Sequence, residues 1–95
     1  MLNQQIRTLR KAHKMSQVEL ANALYVTKQS VSNWENDNIQ PSVEMLVKLA
    51  KVFSVSTDFM LGLETKQVID VTGLPEPIVS HIRQLVDDFR QYGQN

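Results

Sequence analysis

The chain contains no cysteine and only two histidines, His13 and His81, which lie far apart in the sequence. The absence of cysteine excludes disulfide scaffolds, thiolate metal sites and cysteine nucleophiles. No apolar stretch is long enough to span a membrane, and the opening residues MLNQQIRTLRK lack the apolar run of a signal peptide. We therefore expect a soluble, cytoplasmic protein that uses no metal and no cofactor and makes no membrane contact.

The net charge is zero, although the charges are unevenly distributed along the chain. The 95 residues carry ten basic and ten acidic side chains. Residues 1–34 hold five basic residues against Glu19 alone, whereas residues 63–95 hold three basic and five acidic residues. Phosphate binding requires a local positive potential rather than a basic chain as a whole. The asymmetry favours a basic surface near the start of the chain and a different role for its end.

Apolar spacing and a cap mark the first two helices. A stripe at helical spacing predicts a helix over residues 2–13 and consists of Ile6, Leu9 and Ala12. Ser16 and Glu19, three residues apart, have the spacing of a capping box, which begins a second helix. We expect the buried side of this second helix to comprise Val18, Leu20, Ala21 and Leu24.

A tight turn and a third helix follow. Tyr25 and Val26 make the turn, and Thr27 is a suitable N-cap for a helix that runs to about Asn36. Val31 and Trp34 face inward at core spacing, and another side of the helix is polar throughout. Two short helices joined by a tight turn, with a polar side on the second, are the arrangement by which proteins place a helix in the major groove of DNA.

Two further helices complete an all-α domain. After a turn-rich loop over residues 36–41, a fourth helix opens at Pro41 or Ser42. Its apolar residues recur at the spacing of one buried helix side and are Leu46, Leu49, Ala50 and Phe53. Ser56 caps a brief fifth helix from Thr57 to Leu61, and Gly62 ends it.

Residues 63–95 form a linker and a last helix with a wide apolar side. Val68 to Val71 is a β-prone run that predicts a short strand-like segment, and two prolines precede a helix that ends near Tyr92. Five of the apolar residues on this helix are Ile78, Ile82, Leu85, Val86 and Phe89. Such a side needs a partner surface. We favour dimerisation, in which the apolar side of this helix packs against a second copy of the chain; the alternative is that it folds back onto its own domain. In a two-fold dimer, the strand-like segments of the two copies can also pair with each other.

The stretch SQVELANALYVTKQSVSNWE, followed by QPSVEMLVKLAKVFSVSTDFMLG, resembles the Cro/CI-type (XRE-like) helix-turn-helix regulators of bacteria and their phages. The resemblance covers residues 2–62. It implies a five-helix, lambda-repressor-like DNA-binding domain over residues 1–62, with residues 63–95 as a C-terminal extension. It also implies that the third helix is the recognition helix.

The resemblance assigns DNA-contacting roles to polar side chains. The implied base contacts are Lys28, Gln29, Ser32 and Asn33. Lysine can donate to guanine, and glutamine or asparagine can pair bidentately with adenine. The implied phosphate contacts are Gln17, Ser30, Asn36 and Asn38, with Lys11 and Lys14 adding electrostatic attraction.

Two further expectations follow from the family. Arg10 and Glu35 occupy positions that form an ion pair in relatives, so we favour a structural role for Arg10 over a phosphate contact. Tyr25, Asp37 and Ser54 stand where relatives commonly carry glycine. A tyrosine in left-handed geometry costs about 1–2 kcal/mol, so we expect the turn at Tyr25 to be locally rearranged.

The sequence therefore favours a sequence-specific transcriptional regulator, in particular a homodimeric repressor that binds double-stranded DNA at an inverted repeat. The alternative is a protein-interaction module, such as the antitoxin half of a toxin–antitoxin pair, which binds a protein partner through its last helix. An enzyme is disfavoured, because no nucleophile–base constellation, phosphate-binding loop or metal cluster can be recognised.

Overall fold

The computed structural model describes residues 2–64, 66 and 68–93, and over these residues the chain is all-α. Met1, Thr65, Gln67, Gln94 and Asn95, which belong to the predicted segments 1–62 and 63–95, lie outside the described residues. The helices are α1 Leu2–Ala12, α2 Gln17–Leu24, α3 Lys28–Glu35, α4 Val43–Phe53, α5 Thr57–Met60 and α6 Glu76–Gly93. The predicted all-α class and its five short helices followed by a longer one are confirmed.

Hydroxyl side chains begin four of these helices. Ser16 Oγ accepts a hydrogen bond from the Glu19 amide at 3.0 Å, and the Ser16 amide donates to Glu19 Oε1 at 2.9 Å, which is the predicted capping box. Thr27, Ser42 and Ser56 each accept a hydrogen bond from the amide three residues further on. The cap of α4 is therefore Ser42, and Pro41 lies outside the helix.

The core lies where α1 to α5 meet. Its buried apolar side chains are Ile6, Leu20, Ala21, Leu24, Val31, Trp34, Leu49, Ala50, Phe53 and Met60. The burial of Trp34 confirms its predicted packing role. Val18 is about half exposed, so its assignment to the buried side of α2 is wrong. At 100° per residue, Val18 lies about 110° around α2 from the centre of the stripe that Leu20, Ala21 and Leu24 bury.

Helices α1 to α4 are each followed, within two residues, by a non-glycine residue with left-handed backbone geometry. These residues, with φ of 56° to 60°, are Lys14, Tyr25, Asp37 and Ser54. At the end of α2, the Tyr25 amide donates to the Asn22 carbonyl at 3.3 Å and the Val26 amide donates to the Ala21 carbonyl at 3.0 Å. This is the usual glycine-type closure of a helix. The expected rearrangement at Tyr25 does not occur, and its side chain is 94% exposed.

The strand-like segment predicted for Val68 to Val71 is not formed. These residues are irregular, and Asp70 Oδ1 accepts a hydrogen bond from the Thr72 amide at 2.9 Å, which bends the chain. Among the described residues no strand lies beside them. A strand without a neighbour gains no interstrand hydrogen bonds and buries little apolar surface, which is why β propensity alone does not produce one here.

Helix α6 stands apart from the core. None of its described side chains is buried. The radius of gyration is 15.6 Å, compared with about 12 Å for a compact chain of this length. Val86 lines a groove beside Phe53 and Val68, but the apolar side of α6 does not enter the core. In the structure this side is therefore not buried in its own domain, and the choice between dimerisation and folding back stays a prediction.

Replacing Tyr25 by glycine should stabilise the protein by about 0.5–1 kcal/mol relative to Tyr25→Ala. A Cβ in left-handed geometry costs about 1–2 kcal/mol, and the greater entropic cost of ordering glycine, about 0.5–1 kcal/mol, offsets part of the gain. The exposed tyrosine ring loses little packing in either variant. Urea unfolding of both variants measures the difference, and equal stabilities would contradict the assigned strain.

Candidate nucleic-acid interface

The polar side of α3 points outward because the opposite side of the helix is buried in the core. Val31, Trp34 and Glu35 are the buried residues of α3. The predicted base-contacting residues lie away from them and are Lys28, Gln29, Ser32 and Asn33. The first two are exposed and the last two half-buried. Their spacing places all four on one outward surface, which we call the α3 surface.

Two amide side chains of the α3 surface are hydrogen-bonded to each other. Gln29 Nε2 donates to Asn33 Oδ1 at 3.0 Å. Gln29 keeps its carbonyl oxygen and a second N–H, which are the two groups that an adenine edge requires. Asn33 keeps both of its N–H groups. The contact therefore orients the two amides relative to each other while leaving their capacity to bind a base.

Three of the predicted phosphate-contacting residues flank the α3 surface. Ser30 Oγ lies 3.0 Å from Thr27 Oγ1, and either hydroxyl can donate. Asn36 Nδ2 donates to Ser32 Oγ at 3.3 Å. Asn38 is exposed in the loop that follows α3. The structure thus brings Ser30 and Asn36 into contact with residues at or beside the α3 surface.

The two predicted electrostatic contacts lie elsewhere. Lys11 is exposed at the end of α1, and Lys14 is exposed in the link between α1 and α2. Within the described part of the chain, no side-chain hydrogen bond or ion pair joins either lysine to α3. Their contribution to a phosphate surface would be through charge rather than through contact with the recognition helix.

A buried carboxylate ties α1 to the end of α3. The Glu35 side chain is fully buried, and Arg10 Nε and Nη2 donate to its two oxygens at 2.6 and 3.0 Å. Two parallel bonds of this kind are the strong, bidentate form of the arginine–carboxylate pair. Arg10 Nη1 also donates to the Met15 carbonyl at 2.8 Å, which fixes the α1–α2 link. The predicted ion pair and the structural role of Arg10 are confirmed.

Two more side chains reach the same carboxylate. Gln17 Nε2 donates to Glu35 Oε1 at 3.2 Å, and Arg7 Nε lies 3.5 Å from that oxygen. One side-chain N–H of Gln17 is therefore used within the protein, and the other remains for the predicted phosphate contact. Arg7 was not predicted from the sequence to have a specific role, although its position three residues before Arg10 places both on one side of α1. We call Glu35, Arg7, Arg10 and Gln17 the Glu35 cluster.

The surroundings of Glu35 keep it ionised. Burial raises the pKa of Glu35, but hydrogen bonds from Arg10 and Gln17 and the charges of Arg10 and Arg7 outweigh it, so the pKa lies below its ordinary value. The hydrogen bond to Glu35 in turn raises the pKa of Arg10. Every buried polar side-chain atom in the described residues has a hydrogen-bond partner. The Glu35 cluster is therefore a satisfied polar network inside the domain.

The residues predicted to dimerise form a second surface, on α6. They are Ile78, Ile82, Leu85, Val86 and Phe89. Ile82 is half-buried, and the other four are exposed, with Phe89 at 69%. Apolar side chains exposed together in this way are typical of interaction surfaces.

The described residues offer no candidate membrane span and no candidate metal site. No helix there is both long and apolar enough to cross a membrane. The same residues contain no group of three or more histidine or acidic side chains placed to hold a metal ion.

Comparison with known proteins gives a consistent set of likenesses. A family model described as helix-turn-helix matches residues 6–60. The chain is 40% identical over 60 residues to the uncharacterized HTH-type transcriptional regulator YobD of Bacillus subtilis (strain 168), which is 63% of this chain and 54% of YobD. It is 28% identical over 88 residues to the HTH-type transcriptional regulator ImmR of the same organism, covering 92% of this chain and 69% of ImmR.

A solved structure is similar as well. The P22 c2 repressor in complex with synthetic operator 9T has a TM-score of 0.63 and 30% identity, covering 67% of this chain and 97% of that chain. This chain spans about half the length of YobD but nearly all of the P22 c2 chain. The family model over residues 6–60 falls on the part that contains α1 to α5, whereas the likeness to ImmR extends over 92% of this chain.

Glu35→Gln should lower the free energy of unfolding by about 3 kcal/mol at neutral pH, because removing one partner of a buried ion pair leaves the other charge uncompensated. The folded pKa of Glu35 lies below its ordinary value of 4.5. Its contribution to stability is therefore present above that value and is lost as the pH falls through the folded pKa. Wild type should lose more stability than the variant on acidification, as measured by urea unfolding between pH 7 and pH 3.

Glu19 and Asp70 also have a pKa lowered by hydrogen bonds, with Ser16 and Thr72 respectively, but they are present in both proteins. The difference between the two pH curves therefore isolates Glu35. Glu44→Gln, which removes an exposed carboxylate 3.6 Å from Lys48, is the control and should change stability by less than about 0.5 kcal/mol. Parallel pH curves for wild type and Glu35→Gln would contradict the assigned role of the carboxylate.

Proposed function

This chain belongs to the Cro/CI-type (XRE-like) helix-turn-helix family of DNA-binding transcription regulators, and from that premise we propose that it acts in the cytoplasm as a homodimeric repressor. In this proposal the dimer reads an inverted-repeat operator in double-stranded DNA with α3 in the major groove. Repression of this kind requires occupancy of a site rather than a chemical reaction.

The α3 surface carries the proposal. Donors and acceptors on Lys28, Gln29 and Asn33 match the base edges of the major groove, where lysine suits guanine and an amide suits adenine. The side chains sit on a helix whose opposite side is buried, so binding does not require α3 to become ordered. The likeness to the P22 c2 repressor, which was solved with a synthetic operator, supports the same use of this surface.

Phosphate contacts position such a helix without reading sequence. We assign this role to Gln17, Ser30, Asn36 and Asn38, with Lys11 and Lys14 supplying long-range attraction. Gln17 is the first residue of α2, where backbone amides without helical partners favour an anion. Phosphates on either side of the groove would thus be bound from the start of α2 and from the end of α3.

The exposed apolar side of α6 supports the dimer. Its five residues lie outside the core, so a second copy can cover them. A two-fold pair of this kind would present two α3 helices to half-sites about 34 Å apart, one turn of DNA. The alternative is that α6 binds a different protein, as an antitoxin would, and the self-association of the chain decides between them.

Selection from a random duplex library by the full chain should enrich an inverted repeat. Gln29→Ala, selected in parallel, should lose preference at one or two base pairs of each half-site, at a cost of about 1–3 kcal/mol on the wild-type sequence. Its fold should be unchanged, because Gln29 is exposed. Titration of the enriched duplex and of an unrelated duplex measures the two losses.

Gln4→Ala is the matched control, since Gln4 is an exposed glutamine on α1, and it should bind like wild type. If Gln29→Ala weakens binding to both duplexes equally, Gln29 does not read a base. Failure of the wild-type chain to enrich any sequence would contradict the proposed function.

Leu85→Asp combined with Phe89→Asp should give a monomer with the α1–α5 core intact, because two charges are placed on the apolar side of α6. Sedimentation equilibrium should give twice the chain mass for wild type and the single mass for the variant. The control is Gln84→Asp combined with Gln91→Asp, which adds the same charge on another side of α6 and should stay dimeric. A wild-type chain that sediments as a monomer would contradict the dimer and favour a separate protein partner.

A further inference from the structure

We propose that Arg7 binds a DNA phosphate, and that Arg7, Gln17 and Asn36 act as one phosphate-binding unit organised by the Glu35 carboxylate. The inference rests on the proposed function and extends it to a residue that has no role there.

The Glu35 cluster holds two cations and one anion. Arg10 makes both strong contacts to the carboxylate, at 2.6 and 3.0 Å, and thereby compensates its charge. Arg7 Nε, at 3.5 Å, is a more distant second cation. The side chains of Glu35, Arg10 and Arg7 are 0%, 12% and 46% exposed. The excess positive charge is therefore presented to solvent by Arg7.

The Arg7 guanidinium is also held in a fixed orientation. Its Nη2 donates to the Glu35 carbonyl at 3.1 Å and to Asn36 Oδ1 at 3.2 Å. Within the described contacts, its other terminal nitrogen, Nη1, has no protein acceptor. A guanidinium anchored on one side with free N–H groups on the other is suited to an anionic oxygen, because little side-chain freedom remains to be lost on binding.

Arg7 lies beside two residues already assigned to phosphate. Gln17 Nε2 and Arg7 Nε are within 3.5 Å of the same oxygen, Glu35 Oε1. Asn36 accepts from Arg7 and donates to Ser32 on the α3 surface. The start of α2, the middle of α1 and the end of α3 thus converge on one exposed edge whose remaining donors are an arginine and two amides.

A purely structural role for Arg7 makes a different prediction. The Arg7 contact with the Glu35 carbonyl is also what a cation does at a helix C-terminus, where it stabilises the last turn. Loss of that contact would lower stability, and it would leave the number of phosphates neutralised on DNA unchanged. The salt dependence of binding separates the two roles, because it counts the neutralised phosphates.

The experiment measures duplex affinity of the full chain as a function of salt for wild type, Arg7→Gln, Arg7→Lys and Lys48→Gln. The duplexes are the enriched operator and an unrelated sequence. Lys48 is the matched control, because it is 45% exposed and paired with Glu44 at 3.6 Å, on a helix that carries no proposed contact. Urea unfolding of each variant reports its stability.

Each dimer carries two Arg7 side chains, so Arg7→Gln should reduce the slope of log affinity against log salt by about 1.8, and its deficit relative to wild type should shrink about twelvefold between 50 and 200 mM salt. The loss should be the same on both duplexes, since phosphates carry no sequence information. Arg7→Lys should keep the wild-type slope because it keeps the charge, and Lys48→Gln should keep it as well.

An Arg7→Gln variant with the wild-type slope would overturn the inference, and a fall in its stability would then identify Arg7 as a helix cap. Loss of slope in Lys48→Gln to the same extent would overturn it too, because the effect would be one of net charge. These results leave the proposed function standing. A wild-type chain with no salt-dependent binding to either duplex would instead remove the proposed function and this inference together.

Discussion

A carboxylate sealed from water at the end of α3 is the constraint on which the rest of the structure depends. An ionised group in that position requires close partners, and Glu35 obtains them from Arg10 on α1 and Gln17 on α2. Apolar packing by Val31 and Trp34 holds α3 against the core but is not directional. The hydrogen bonds to Glu35 are directional, so they fix how α3 is rotated and which of its side chains face outward.

The connections between helices also constrain how neighbouring helices are arranged. The chain turns after each of α1 to α4 through a left-handed residue, and after α2 the next helix begins at Lys28, three residues beyond Tyr25. At Tyr25 this geometry is adopted without glycine and without a packed side chain. The stability of the surrounding core therefore exceeds the local cost of the turn, and the angle between α2 and α3 is kept.

Features that depend on near neighbours could be predicted from the sequence. Caps at Ser16 and Thr27 require residues only three positions apart, and the pairing of Arg10 with Glu35 followed from the resemblance to relatives. Burial of Val18 and pairing of Val68 depend on surfaces distant in the chain, so both were misjudged. Arg7 was missed because its spacing from Arg10 gives its side of α1 but not that Asn36 lies opposite. The DNA-contacting and dimerising roles stay predictions, since the chain alone contains neither partner.

The buried residues of α3 and its outward residues are different sets, and this separation affects how the protein can evolve. Support for the fold comes from three of its eight residues, and the proposed reading of DNA comes from four others. Substitutions among the outward four remove no core side chain. Under the proposed function, a lineage can therefore acquire a new operator preference by substitution at these positions without opening a cavity in the core.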